Sequence, residues 1–195
     1  MIANTSDENQ ARVEFDSRTP LWLFAYGSLI FKAVFPYLEK RPASIEGWVR
    51  RFWQGSHDHR GTPDAPGRVV TLITEANAVC AGIAYRVKQE ILDHLDFREK
   101  NGYLRFSTRI TFSDGSCNDG LLYIATEDNS AFLGPATEAE IARHILHSSG
   151  PSGENAEYLI KLARALRQMC VIDNHVYRIE QQLLRMRDSL SRPSR

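Results

Sequence analysis

The sequence predicts an α+β fold from three observations. Strand-like segments, β-branched or alternating with period two, come first along the chain; segments with three- and four-residue apolar spacing come late; and no repeat, low-complexity tract or shift in composition separates them. At 195 residues the chain suits one domain, and a domain of that size buries roughly 70% of the surface of its unfolded chain, enough to enclose a pocket.

The polar stretch 1–19 is expected to be a disordered extension, ended by Pro20. The first ordered element is the apolar run "LWLFAY", 21–26, read as a strand. "RVVTLIT", 68–74, and "VCAGIAYRV", 79–87, have strand composition and are expected to pair through the intervening "EANA". In "KQEILDHLDF" the residues Ile91, Leu92 and Leu95 fall at helical spacing, whereas Phe106, Thr108, Ile110 and Phe112 alternate in "RFSTRITF". The stretch "LDFREKNGY", 95–103, therefore spans a helix end and the turn into a strand. After "DG" at 114–115 comes another strand, "GLLYIAT". Thr137 with Glu140 forms a capping box that opens a helix running to about His147. Tyr158, Leu159, Leu162, Leu166 and Met169 mark a second late helix; Ile179, Leu183, Leu184 and Met186 mark a third, to about Asp188. One domain over 20–188 follows, with 189–195 a disordered tail.

Composition excludes several functions. The 24 Lys and Arg balance the 24 Asp and Glu, so the chain lacks the long-range field of a dedicated nucleic-acid binder. Cys80, Cys117 and Cys170 are odd in number, far apart and without C-x-x-C, which argues against a disulfide framework or a zinc knuckle and for a reducing cytoplasm. The N-terminus lacks the order of a signal peptide, and no run of about 18 apolar residues could span a bilayer.

Four stretches carry residues suited to chemistry. In "FAYGSLIF", Gly27 and Ser28 follow a strand directly, where free backbone N–H groups can hold an anion or a polarised carbonyl; an ordinary strand-ending turn explains the same residues, and G-x-S-x-G is absent. "RRFWQGSHDHRGTPDAPGRVVTL", 50–72, gathers Arg50, Arg51, Arg60 and Arg68 around Trp53, His57 and His59. Arginine forks bind carboxylates, while His-x-His without further ligands is a weak metal signal, as is the pair His144 and His147 one helical turn apart. "SSGPSGENAEY", 148–158, is on local sequence a simple helix start, for which Ser, Asn and early acids are the usual choices. Asp96, Arg98, Glu99 and Lys100 alone would pass for a solvated helix end.

Taken together, "YGSLI", "RRFWQGSHDHRG", "GRVVTL", "LDFREKNGY", "YIATEDN", "LGPA" and "SGPSGENAEYL" closely resemble the ChaC family of glutathione-specific γ-glutamylcyclotransferases, from about Leu21 to Leu166 in a single order. Phe31 departs from the tryptophan more usual after "YGSLI", an apolar exchange. The resemblance implies a γ-glutamylcyclotransferase-like fold, a small mixed barrel-like sheet with helices packed outside and the site at one opening. It implies cleavage of reduced glutathione into 5-oxoproline and cysteinylglycine by attack of the γ-glutamyl amine on its own side-chain amide, with no metal or cofactor. Glu99 matches the catalytic glutamate, and Phe97, Leu95 and Tyr103 could supply an apolar surround that raises its pKa. Asp96 is second choice, with Arg98 its structural partner. Backbone N–H groups of Tyr26, Gly27, Ser28 and Leu29 are expected to receive the oxyanion or the α-carboxylate, and Tyr123 to hydrogen-bond the γ-glutamyl group. Arg51 and Arg68 are candidate carboxylate contacts.

Rival readings are a cyclotransferase acting on other γ-glutamyl amino acids or amines, a catalytically inert γ-glutamyl-binding module, which the presence of Glu99 disfavours, and a Ser28 hydrolase, for which no base is evident. No nucleic acid and no membrane is expected as a partner.

Overall fold

A computed structural model describes residues 5–12 and 19–191. Contacts within the chain group into two compact units, one of residues up to Arg50 with Thr71–Phe132, the other of Arg51–Val70 with the residues from Leu133 on, where the sequence predicts one domain over 20–188.

The first unit is built on a closed barrel. Its strands are β1 (Leu21–Ala25), β2 (Glu39–Ser56), β3 (Gly67–Val87), β4 (Tyr103–Phe112) and β5 (Cys117–Ala125), in the spatial order β1-β3-β2-β4-β5. β2 and β3 run on into the second unit with residues 51–56 and 67–70. β1 lies antiparallel to β3, Leu23 opposite Tyr85, and β4 antiparallel to β5, Phe106 opposite Leu122. The barrel closes where β1 meets β5 in parallel, Leu23 opposite Leu121, so the sheet is mixed. Residues 120–125 of β5 are buried without alternation, as a strand covered on both faces requires. Leu23, Ile45, Tyr85, Ile110 and Leu121 form the centre of this core, each worth roughly 1.5–3 kcal/mol for its burial. Gly82 lets β3 approach β1, since a Cβ there would run into the Ala25 carbonyl and the Phe24 ring.

Two helices complete the unit: α1 (Ser6–Arg12), packed on α2 (Leu92–Arg98) and on β4. Within the stretch 1–19, expected to be a disordered extension, residues 6–12 form the helix α1. Among its described side chains the buried ones are polar, Thr5 just ahead of it and Asn9, and both bond to backbone. Residues 1–4 and 13–18 lie outside those described. The hairpin expected at "EANA" is also corrected: 68–74 and 79–87 are one strand, β3, which passes through an exposed middle with Asn77 in the left-handed region at φ 62°.

In the second unit α3 (Glu138–His147), α4 (Asn155–Gln168) and α5 (Asn174–Ser191) pack through Ile141, Ile145, Leu159, Leu162, Ile179 and Leu183. The predicted capping box is present, the Glu140 N–H donating to the Thr137 hydroxyl and the Thr137 N–H to the Glu140 carboxylate. α5 continues to Ser191, so 189–191, expected as disordered tail, are helical, and 192–195 lie outside the described residues. A two-residue ladder of β6 (Ser149–Gly150) and β7 (Gly153–Glu154) precedes α4. Phe52 is buried edge-on against Tyr158, ring centres 5.9 Å apart, and its N–H donates to His175 Nε2.

Candidate active site

Glu99 caps the C-terminus of α2, its N–H donating to the Leu95 carbonyl at 2.8 Å. The chain then turns to β4 through Gly102, whose φ of +89° suits glycine; a Cβ there would also lie 2.6 Å from Asn129 Oδ1. The Tyr103 N–H closes this turn on the Glu99 carbonyl at 3.2 Å. The Glu99 side chain is 18% exposed, sheltered yet reachable. Arg98, equally sheltered, sets Nε 3.3 Å from Glu99 Oε1 and donates from Nη2 to the Ser28 hydroxyl at 3.0 Å. Its Nη1 is buried without a hydrogen-bond partner among the described residues.

Ser28 belongs to the turn that ends β1. Gly27 precedes one 3₁₀ turn, Ser28–Ile30, whose bonds begin with the Ile30 N–H donating to the Gly27 carbonyl. The turn's own bonds thus make no use of the N–H groups of Gly27, Ser28 and Leu29. Its carbonyls are held from outside: Tyr26 O accepts from Arg50 Nε at 2.5 Å, and Leu29 O from the Tyr85 hydroxyl at 2.8 Å. Arg50 is buried on β2 and also donates to Ala81 O, so one guanidinium fixes the turn to the barrel.

Beneath Glu99, Asp96 is 1% exposed. It accepts from the Tyr123 hydroxyl at 2.6 Å and lies 3.3 Å from Arg105 Nη2. Burial is the largest influence on its carboxyl and raises the pKa, the Tyr123 bond and the Arg105 charge opposing it. Burial and the bond to Asp96 also raise the Tyr123 hydroxyl, which stays protonated. The Tyr26 hydroxyl donates to the Tyr123 carbonyl at 2.7 Å, tying the turn's first residue to β5.

The structure thus brings together Glu99, the 26–29 turn and Tyr123 within the first unit. Arg51 and Arg68 belong to the second. Arg68 is buried there and donates to the carbonyls of Phe52 and Gly134, both at 3.0 Å, while Asn155 brackets its backbone with two bonds; burial lowers its pKa. Asn155 and Glu157 have framework contacts as well, Glu157 accepting from Arg60 at 2.7 Å. His59 bonds the Ser152 hydroxyl and His144 the Pro66 carbonyl.

Two expectations are corrected. Phe97 does not surround Glu99: it is 64% exposed, with the Lys100 ammonium 3.9 Å from its ring centre, because α2 turns Leu92, Leu95 and Asp96 inward and position 97 outward. Arg98 is not the partner of Asp96. That part falls to Arg105, a cation at an inward position of β4. Nothing local in the sequence marks Arg98 as the bridge from Glu99 to Ser28, or Arg105 as the partner of Asp96.

The architecture is that of the γ-glutamylcyclotransferases. A crystal structure of the yeast γ-glutamyl cyclotransferase specific to glutathione matches with a TM-score of 0.80 and 32% identity, over 86% of this chain and 96% of that one. The family model of ChaC-like proteins matches residues 21–186, and the chain belongs to the ChaC family. It is 45% identical to γ-glutamylcyclotransferase 2-3 of Arabidopsis thaliana, over 80% of this chain and 84% of the relative. It is 42% identical to the glutathione-specific γ-glutamylcyclotransferase 1 of Danio rerio, over 86% and 90% of the two.

Proposed function

We propose that this protein degrades reduced glutathione to 5-oxoproline and cysteinylglycine, with Glu99 as general acid/base. The observation that carries the reading is the short path of contacts from Glu99 through Arg98 to Ser28, which puts a carboxylate, a sheltered cationic nitrogen without a hydrogen-bond partner among the described residues, and backbone N–H groups that the turn's own bonds leave out side by side. The substrate needs those three groups. Its α-amine is mostly protonated near neutral pH and must lose a proton before attack, so it belongs at Glu99. Its α-carboxylate shares a carbon with that amine and so falls beside Arg98, where Nη1 awaits an acceptor.

The first proton of the ammonium leaves through Glu99 to solvent; the neutral amine nitrogen then bonds to the γ-carbonyl carbon, and the surplus proton it carries in the intermediate passes to the Glu99 carboxylate. The carbonyl oxygen becomes an oxyanion facing the Gly27, Ser28 and Leu29 N–H groups. As the intermediate collapses, the bond to the cysteine nitrogen breaks and Glu99 returns the proton to that leaving amine. No water is consumed. Holding the amine folded back on the carbonyl supplies much of the rate, as in other oriented intramolecular reactions. Proton transfer and positioning account for every step, so no cofactor is assigned, and no step is assigned to Arg51 or Arg68. Tyr123, whose hydroxyl donates its hydrogen bond to Asp96, reaches the γ-glutamyl group only as an acceptor. The cytoplasm, where reduced glutathione abounds, fits three cysteines that remain free thiols. No described helix is long and apolar enough to cross a membrane.

The test is mass-spectrometric detection of both products from purified protein and reduced glutathione, beside Glu99→Gln and a chelator-treated sample. The expected result is product that survives the chelator and falls about 100- to 10,000-fold in Glu99→Gln. A folded wild type that makes neither product at saturating glutathione would overturn the reading.

A further inference from the structure

The helix α1 lies ahead of the residues matched by the family model, yet it packs on α2 and β4, the elements on either side of the turn that carries Glu99. The Thr5 N–H donates to the Lys100 carbonyl at 3.0 Å, and the Thr5 hydroxyl lies within donating distance of the Lys100 and Tyr103 carbonyls, at 3.1 and 2.9 Å. Asn9 is fully buried. Its Nδ2 donates to the Tyr103 carbonyl at 3.0 Å, its Oδ1 accepts from the Arg105 N–H at 2.8 Å, and its backbone carbonyl accepts from the Arg105 guanidinium. Lys100 follows Glu99 directly, and Tyr103 is the residue whose N–H closes the turn on Glu99. Arg105 in turn pairs with Asp96, one helical turn before Glu99.

We infer that Thr5 and Asn9 are positioning residues for the catalytic carboxylate, a brace set from outside the family's common domain; this rests on the proposed role of Glu99. Glu99 ends a helix of seven residues, too short to hold its own last turn firmly, and it is followed by a glycine-containing reversal. Tying down the carbonyls at 100 and 103 fixes the direction in which the Glu99 side chain leaves the backbone. A displacement of about 1 Å at a reacting group can cost 100-fold in rate, so a hydrogen-bonded brace on this turn acts on turnover more than on affinity.

The experiment uses the full chain with Thr5→Val and Asn9→Ala, and with Thr5→Ser and Glu8→Ala as controls. Glu8 pairs with Arg12 on the exposed side of α1 and makes none of the bonds to the turn. Turnover of reduced glutathione is read as kcat and KM, alongside melting temperature and amide hydrogen exchange over 99–105. Thr5→Val and Asn9→Ala are expected to lower kcat about tenfold or more, to move KM less than about threefold, and to speed exchange of the Tyr103 amide. Thr5→Ser and Glu8→Ala should turn over like wild type. Unchanged kcat per folded molecule in both Thr5→Val and Asn9→Ala, with an active wild type, would overturn the brace even if both melt earlier, because a merely stabilising helix behaves that way. A folded wild type without turnover would instead overturn the cyclotransferase reading, and the catalytic role of the brace with it.

Discussion

Replacing Arg98 by methionine keeps an unbranched side chain and removes the guanidinium, which now faces three ways: Nη2 to Ser28 at 3.0 Å, Nε to Glu99 at 3.3 Å, and Nη1 buried without a hydrogen-bond partner among the described residues. If Nη1 receives the α-carboxylate of the substrate, the variant loses one charge-assisted hydrogen bond in a sheltered place. Such a bond is worth about 1.5–3 kcal/mol, or roughly 10- to 150-fold in kcat/KM. The assay compares glutathione with γ-aminobutyryl-cysteinylglycine, which has the same amine and amide but no α-carboxylate. Wild type should prefer glutathione by about that factor, and Arg98→Met should treat the two nearly alike. If Arg98→Met lost the same factor on both substrates, the carboxylate assignment would be wrong, and Arg98 would act through Glu99 and Ser28 alone.

Two further outcomes follow from the same geometry. Tyr123→Phe takes the hydroxyl from the buried Asp96 carboxyl and leaves it with less than its full set of partners; stability should fall by about 1–3 kcal/mol in urea titration, with the denaturant slope unchanged. In the second unit, hydrogen bonds from Arg60 and then Lys161 hold the Glu157 carboxyl down at about 2, against an ordinary 4.5. A depressed carboxylate stabilises the fold above its unfolded pKa and loses that contribution as pH falls through the window from about 4.5 to about 2. The difference in melting temperature between wild type and Glu157→Gln should therefore be greatest above pH 4.5 and shrink across that window; solvent at this half-exposed site keeps it small.

Local signals carried much of the fold. The alternation in β4, the apolar run of β5 and the capping box of α3 depend on near neighbours, and each element forms where its residues say. β2 was not legible as a strand, because Pro42 and the pair Arg50 and Arg51 interrupt its pattern, and its place is decided by partners distant in sequence. The apolar residues Ile91, Leu92 and Leu95 alone set the expected helical phase of α2. That left out Asp96, a charged side chain made welcome in the interior by Tyr123 and Arg105, and so misplaced Phe97. Glu99 and the 26–29 turn stood out only through the order of several motifs, since each alone has an ordinary explanation. What joins them, the fork of Arg98 and the buried cation of Arg50, is a matter of three-dimensional reach that spacing in the chain does not encode.

The parallel seam between β1 and β5 also governs when a newborn chain can become an enzyme. Trp22 and Leu23 must wait for Gly120 and Leu121, nearly a hundred residues downstream. At about 5–20 residues per second a ribosome needs on the order of 5–20 s to supply them. Until then β1 has an unsatisfied edge, and the Tyr26 hydroxyl lacks the β5 carbonyl that anchors it. Activity should consequently emerge in one step after β5 leaves the exit tunnel, and a chain stalled before Leu121 should present a hazard of strand-to-strand aggregation rather than a partly working catalyst.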